Sequence, residues 1–326
     1  MAKHLKVCVT GANGFIGSAL VNELLKKDFL VRVLTRKPRT HFFNGIDLFI
    51  GDLSSTNVDL LNFIDGCDVL VNCSGELYDF SKMKDLNIGG VKRLIDIISQ
   101  YQKNSGRPIH FIQLSSVGVY GKSDNPAKSR IISESSRLDP KGEYESTKAC
   151  ADKLIQNIPQ GKGITYTILR PSNIVGFKMP NQSFAALLKA IRDKKFFYIG
   201  SRSSISNYVH IDDVIHSILL CIRSSKSRNQ IFNLSNDCKL SDIVSEVLNY
   251  CGFKNFSLCI PEKVVRFFVF ILNRFIRLSL SKNRIDALVS RTTYPTKKIE
   301  KVLGYIPTRN IPDFAVEYLK SFDEKK

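Results

Sequence analysis

The sequence has no CxxC pair and no cluster of histidines. Its eight cysteines (Cys8, Cys67, Cys73, Cys150, Cys221, Cys238, Cys251, Cys259) are scattered, mostly in apolar runs. A small buried thiol is the ordinary reading there. Five separate histidines give no ligand spacing, so no metal site is expected. No internal repeat or low-complexity linker interrupts the chain, and no leader is expected before the first apolar strand. A reducing, cytoplasmic setting is therefore expected. Negative charge is short: 48 Lys and Arg stand against 30 Asp and Glu, a net charge of +18. Residues 1–175 carry 23 basic and 17 acidic residues, and 176–326 carry 25 and 13. Such an excess attracts a diphosphate, an anionic membrane surface or nucleic acid. No nucleic-acid-binding motif accompanies it, so no nucleic-acid partner is expected.

What is present begins at residue 5. An apolar run over 5–9 reads as a buried strand. Gly11, Gly14 and Gly17 follow at the spacing GxxGxxG, and Phe15, Ile16, Ala19, Leu20, Leu24 and Leu25 then recur at helical spacing. Strand, glycine turn and helix in that order suit a dinucleotide pyrophosphate, which sits at the helix N-terminus. Gly11 permits the turn, Gly14 admits the phosphates, and Gly17 lets helix and strand approach.

Strands are expected at 29–34, 47–50, 68–72, 109–114 and 164–169. Helices between them are expected from Ser54 to Ile64, over about 82–101 and over 143–158. This alternation specifies an α/β fold, a doubly wound parallel sheet of Rossmann type covered on both faces. Residues 122–143 read as a loop. Residues 1–176 are expected to form the NAD(P)-binding domain. Residues 177–326 are expected to form mainly a smaller substrate-binding cap, with some elements returning to the sheet. After the second strand the usual acidic residue is missing, and Thr35-Arg36-Lys37-Pro38-Arg39 stands there. Arg36, with Lys37 and Arg39 near, could pair a 2′-phosphate, which favours NADP over NAD.

Tyr144 and Lys148 stand at i and i+4, on one face of a helix. An ammonium beside a phenol lowers its pKa, and such a tyrosine can carry the proton that accompanies hydride transfer. Ser116, at the end of the fifth strand, could hold the reacting oxygen against Tyr144.

The motifs now on the page resemble the extended short-chain dehydrogenase/reductase family, in its epimerase/dehydratase branch. The matching pieces are Thr10 to Gly17, Gly51-Asp52-Leu53, Asn87, Leu114 to Gly121, Tyr144-xxx-Lys148, Leu169 to Gly176, Tyr208-Val209-His210-Ile211-Asp212-Asp213 and Leu303-Gly304-Tyr305-Ile306-Pro307. They run in family order across nearly the whole chain. The resemblance implies a catalytic Ser116, Tyr144 and Lys148. It implies a cofactor held by Gly11, Asn13, Gly14, Phe15, Ile16, Gly17, Arg36, Asp52, Leu53, Cys73, Ser74, Gly75, Asn87, Ser115, Tyr144, Lys148, Pro171 and Ile174. Within that set Asp52 and Leu53 meet the adenine and Lys148 the nicotinamide ribose. Ser116 and Asn173 would face substrate. The arginine that epimerases place two residues before Tyr-Val-His is Ser206 here; Arg202, Arg284 and Arg291 are the candidates to take its place, and Arg291 is carried forward as a substrate residue.

The implied activity is epimerase or reductase chemistry on a nucleotide-linked sugar, in surface polysaccharide or O-antigen synthesis, by a homodimer. A reductase of an apolar alcohol or ketone, sterol-like or flavonol-like, is the alternative. A cofactor-sensing regulator is a minor one. Pro261 opens a basic helix expected to reach about Leu278. Its longest apolar run, 267–272, is six residues, where a bilayer span needs about 20. Val264, Phe267, Phe268, Ile271, Phe275 and Leu278 make one apolar stripe. That stripe either packs on the core or lies at an anionic membrane surface, which would place the enzyme at the inner face of the membrane.

Overall fold

The computed structural model describes residues 5–37, 45–55, 58–159, 163–254, 258–272 and 280–323. Pro38, Arg39, Phe275 and Leu278, named above, lie outside them.

Short β-branched and leucine-rich runs form seven strands: β1 (Lys6–Thr10), β2 (Leu30–Thr35), β3 (Ile46–Ile50), β4 (Val69–Asn72), β5 (Ile109–Leu114), β6 (Ile164–Pro171) and β7 (Gln230–Leu234). They make one parallel sheet in the order β3-β2-β1-β4-β5-β6-β7. Every position of β4 and β5 is buried, as a sheet covered on both faces requires. One face carries α1 (Phe15–Lys26) and α7 (Ile211–Arg223), which bury Leu20, Leu24, Val214 and Ile218 against β1 and β4. The other carries α2 (Leu60–Ile64), α4 (Val91–Ser105) and α5 (Glu143–Gln156), through Phe63, Leu94, Ile98 and Ile155. The doubly wound fold expected from the sequence is the fold observed.

Beyond β6, helices α6 (Ser183–Arg192), α8 (Leu240–Tyr250) and α12 (Ile311–Asp323) share a second core of Phe184, Leu188, Ile243, Val247, Phe314 and Tyr318. Helix α11 (Lys297–Leu303) packs Ile299 on the sheet core. The Tyr208–Asp213 and Gly304–Pro307 motifs meet structurally. His210 caps α7 through the Asp212 N–H, and buried Asp213 accepts from Thr308 N and Oγ1.

Four expectations change. Helix α2 begins at Leu60, not at Ser54. Asp59 caps it by accepting from Asn62 N, while Ser54 donates twice to Asp52. The long helix expected from residue 82 is α3 (Phe80–Lys84), then a wide π turn (Asp85–Gly90), then α4. The wide turn brings Asn87 inward, where it is bonded at three points. The loop over 122–143 contains a short strand, Arg130–Ile131, paired with Thr292–Thr293. The described part of the basic helix is α9 (Glu262–Leu272), and a helix unforeseen in the sequence, α10 (Lys282–Val289), packs against it.

Candidate active site

In a sheet of this order the chain reverses direction between β1 and β4, and a crevice opens there at the strands' carboxyl ends. The glycine loop fills one side. Gly11 has φ +69°, and a Cβ on it would lie 2.7 Å from Cys73 C and Ser74 N. A Cβ on Gly17 would lie 2.2 Å from Gly11 O. Side chains at these two positions would push the loop off the end of β4 and the helix off the loop. The opening turn of α1 is thereby held over the crevice, which fits the pyrophosphate of a dinucleotide.

On the β2 side Asn13 donates to Thr35 Oγ1 at 2.6 Å and to Lys37 O at 2.8 Å, which ties the loop to the strand end. Asn13 Oδ1 is buried without a partner. Arg36 and Lys37 are exposed beside it. Burial pushes the Asp52 carboxyl up. Two hydrogen bonds from Ser54 and the charges of Arg36 and Arg93 outweigh that and hold it below its usual range. Leu53 is buried, and its carbonyl accepts from Arg93 Nε at 2.8 Å.

A buried polar chain runs from the glycine-loop strand to α5. Thr10 donates to Asn72, Asn72 to Gln113 Oε1 at 2.8 Å, and Gln113 to the Leu114 carbonyl at 3.1 Å. Lys148 Nζ donates to the same carbonyl at 2.9 Å. The β4 exit is against this lysine: a Cβ on Gly75 would sit 3.3 Å from Lys148 Nζ and 3.6 Å from Asn87 Oδ1. Asn87 bridges Glu76 and Thr147, and so fixes α5 to the wide turn. Gly75, Asn87 and Lys148 are thus brought together, with Cys73 and Ser74 at the glycine loop. Burial pushes the Cys73 thiol up to about 12. Ser116, half-buried, accepts from Gly118 N at 3.0 Å. Ser115 is buried, with its Oγ beside the Asp152 carboxyl.

The lowered Tyr144 pKa expected from the pair is not found. Burial, then the charges of Glu145 and Asp152, push the phenol up to about 12. The Lys148 ammonium lies 5.9 Å from the Tyr144 ring centre and is committed to the Leu114 carbonyl. In this state Tyr144 is a protonated phenol at neutral pH, a donor rather than a base.

The sequence reading missed what lies one turn further along α5. Asp152, fully buried, meets Arg170 Nε at 2.9 Å. Arg170 donates to Tyr120 Oη at 2.8 Å, and Tyr120 donates to Asn233 Oδ1 at 2.8 Å. The signal was available, because Asp152 follows Lys148 at i+4 and shares its face.

On the substrate side Pro171 ends β6, and Ile174 lies in a short strand paired with Val209. Phe15 and Ile16 pack on the sheet core, and Phe15 reaches the cap core as well. Exposed Asn173 donates to Asn207 O at 3.2 Å. Arg291 donates to Ser201 Oγ at 2.8 Å, and its backbone bonds Pro126 and Arg130 in the loop after β5. No direct bond joins it to Ser116 or Tyr144 among the described contacts. Arg202 lies over the Tyr198 ring, and Ser206 sits in a short strand paired with Cys238.

Burial lowers the Lys148 pKa from 10.5 to about 8, against the opposing pull of Asp152. Below pH 8 the ammonium is charged both folded and unfolded, so the full burial penalty is carried. Between pH 8 and 10.5 the folded protein loses the proton first and the penalty fades. Lys148→Met is therefore expected to raise stability at pH 7 by up to about 3 kcal/mol. Denaturant titrations at several pH values check this. A variant less stable than wild type at pH 7 would contradict the assigned burial cost.

Residues 7–235 match the profile of the NAD dependent epimerase/dehydratase family. A Bacillus subtilis protein named as an uncharacterized UDP-glucose epimerase is 25% identical, over 95% of this chain and 95% of its own length. A dTDP-D-glucose 4,6-dehydratase of Dictyostelium discoideum is 25% identical over 75% of this chain, which spans 62% of that protein. Among solved structures, UDP-glucuronic acid 4-epimerase from Bacillus cereus in complex with NAD superposes with a TM-score of 0.71 at 22% identity. That superposition covers 98% of this chain and 99% of the other, and it carries the fold.

Proposed function

The chain belongs to the NAD-dependent epimerase/dehydratase family, and from that membership we propose that it is an epimerase or reductase of a nucleotide-linked sugar. The observation that supports the reading is that the glycine loop packs on the β4 exit and that Gly75, Asn87 and Lys148 lie together there, with Tyr144 one turn before Lys148 on α5. A nicotinamide dinucleotide bound there supplies a hydride acceptor or donor. Gly11, Gly14, Gly17 and Asn13 would hold its pyrophosphate side, Asp52 and Leu53 its adenine, and Lys148 its nicotinamide ribose. Ser115, Pro171 and Ile174 would border the nicotinamide.

Tyr144 holds its proton at Oη and delivers it to the sugar oxygen as that oxygen gains negative charge. Ser116 Oγ orients the same oxygen. When the sugar is oxidised the proton passes the other way, and an incoming ribose would draw Lys148 from the Leu114 carbonyl towards the phenol. Asn173 and Arg291 would face the substrate, and Arg291 would pair its diphosphate. The basic second half of the chain supports an anionic substrate. Homodimer formation through α4 and α5, which lie side by side, is part of the reading, as is a role in surface polysaccharide synthesis. So is residence in the cytoplasm, where the eight free thiols would stay reduced.

Incubation of the cofactor-loaded protein with UDP-glucose, UDP-glucuronic acid and dTDP-glucose tests the substrate class. Conversion of one of them, seen as new sugar resonances by NMR, is expected. Turnover of sterol-like ketones with none of the sugars converted would replace this reading by the alternative.

Arg36 is proposed to admit NADP as well as NAD, by pairing a 2′-phosphate from the exposed end of β2. Arg36→Ala should weaken NADP by about 1.5–3 kcal/mol, roughly ten- to hundred-fold, and leave NAD nearly unchanged. Calorimetric titration of both cofactors into both proteins measures it. Equal NADP affinity would make Arg36 a solvated turn residue.

A further inference from the structure

Helix α9 packs on the molecule by the face opposite to its apolar stripe. Val265 and Val269, 5% and 9% exposed, meet Ile199, Ile285 and Val289. Phe267, Phe268 and Phe270 are 60%, 56% and 76% exposed, with Val264 and Ile271 exposed beside them. Leu258, just before the helix, is exposed too. A helix already anchored by two valines has no packing use for three phenylalanines in water, and an apolar patch of this kind marks a contact surface. Arg266 does not neutralise the face, because it is bound to Glu262 and Asp286 on the inner side. Exposed Lys263 stands at the start of the helix, and exposed Lys282 opens α10 next to it. The second half of the chain carries most of the +18 net charge.

We propose that the outer face of α9 docks on an anionic membrane surface, with the phenylalanines in the acyl boundary and the lysines among the headgroups. Charge decides between a bilayer and a second copy of the chain. Two copies meeting here would bring like basic surfaces together, whereas an anionic leaflet complements them. Among the described residues no helix is long and apolar enough to cross a membrane, so the contact is peripheral. It places the cap beside the bilayer whatever the enzyme's substrate.

The full chain is sedimented with phosphatidylglycerol-containing vesicles and with pure phosphatidylcholine vesicles, at low and high salt. Pelleting with the anionic vesicles at low salt and release at high salt is expected, because the attraction is screened. A Phe267→Ser, Phe268→Ser, Phe270→Ser variant should bind at least about ten-fold more weakly. Lys263→Glu should weaken binding about five-fold or more. All three phenylalanines are exposed, so thermal unfolding and cofactor titration should match wild type and separate lost docking from lost folding. No pelleting at low salt, equal pelleting with neutral lipid, or a triple variant that pellets like wild type would overturn the proposal. So would a wild type that ignores vesicles but whose dimer the triple substitution dissolves, which would assign the face to a second copy.

Discussion

Tyr144→Phe should bind the nicotinamide cofactor like wild type and turn over about a hundred- to ten-thousand-fold more slowly. The substitution removes one oxygen and no packing volume. Asn87 is bonded to Glu76 and Thr147, and Lys148 to the Leu114 carbonyl, and none of these bonds involves the Tyr144 hydroxyl. Loss of turnover with unchanged cofactor affinity is the signature of a group that acts at the reacting oxygen. The phenol at about 12 adds a direction to the prediction. Reduction needs the proton on Tyr144 and oxidation needs it off. Reduction of a keto sugar should therefore survive at lower pH than oxidation of the alcohol. A wild-type rate in Tyr144→Phe, on a substrate that wild type converts, would remove Tyr144 from the chemistry.

Asp152→Asn should destabilise the protein by about 3–5 kcal/mol, since it leaves the buried Arg170 charge without its counter-ion. Asp152 is fully buried and Arg170 nearly so. The pair joins the catalytic helix to β6, and through Tyr120 and Asn233 to β7. By contrast, Lys82→Ala, which breaks the exposed pair with Asp79, should leave stability nearly unchanged. Urea titrations of the three proteins give the comparison. A cost for Asp152→Asn as small as for Lys82→Ala would show that water reaches the pair.

The glycine loop was legible because its constraint is local. Gly11 and Gly17 answer to atoms a few residues away or at the adjacent strand end, and the strand and helix around them have clear periods. Tyr144 and Lys148 were legible because four residues on a helix is a fixed geometry. The direction of the Tyr144 pKa shift was not, since it depends on how deeply the phenol is buried, and Lys148 is held instead by the Leu114 carbonyl, 34 residues away. The chain Thr10–Asn72–Gln113 was invisible for a related reason. Its members are separated by 62 and 41 residues, and only the register of β1, β4 and β5 puts them in line.

Helix α9 misleads in another way. It is apolar on nearly every side, so periodicity alone cannot name the inward face. The stripe at 264, 267, 268 and 271 faces water, and the partners Ile199, Ile285 and Val289 select Val265 and Val269 instead. The hidden α10 follows from the same ambiguity, as its core side chains, Ile285 and Val289, are too few to show a period.

The most direct test of hydride chemistry at this site uses a nucleotide sugar that turns over, carrying deuterium on the reacting ring carbon. Hydride transfer within the crevice predicts that the deuterium passes to the nicotinamide or returns to the sugar, and never appears in solvent. Deuterium lost to water, or conversion by protein stripped of its dinucleotide, would contradict the account.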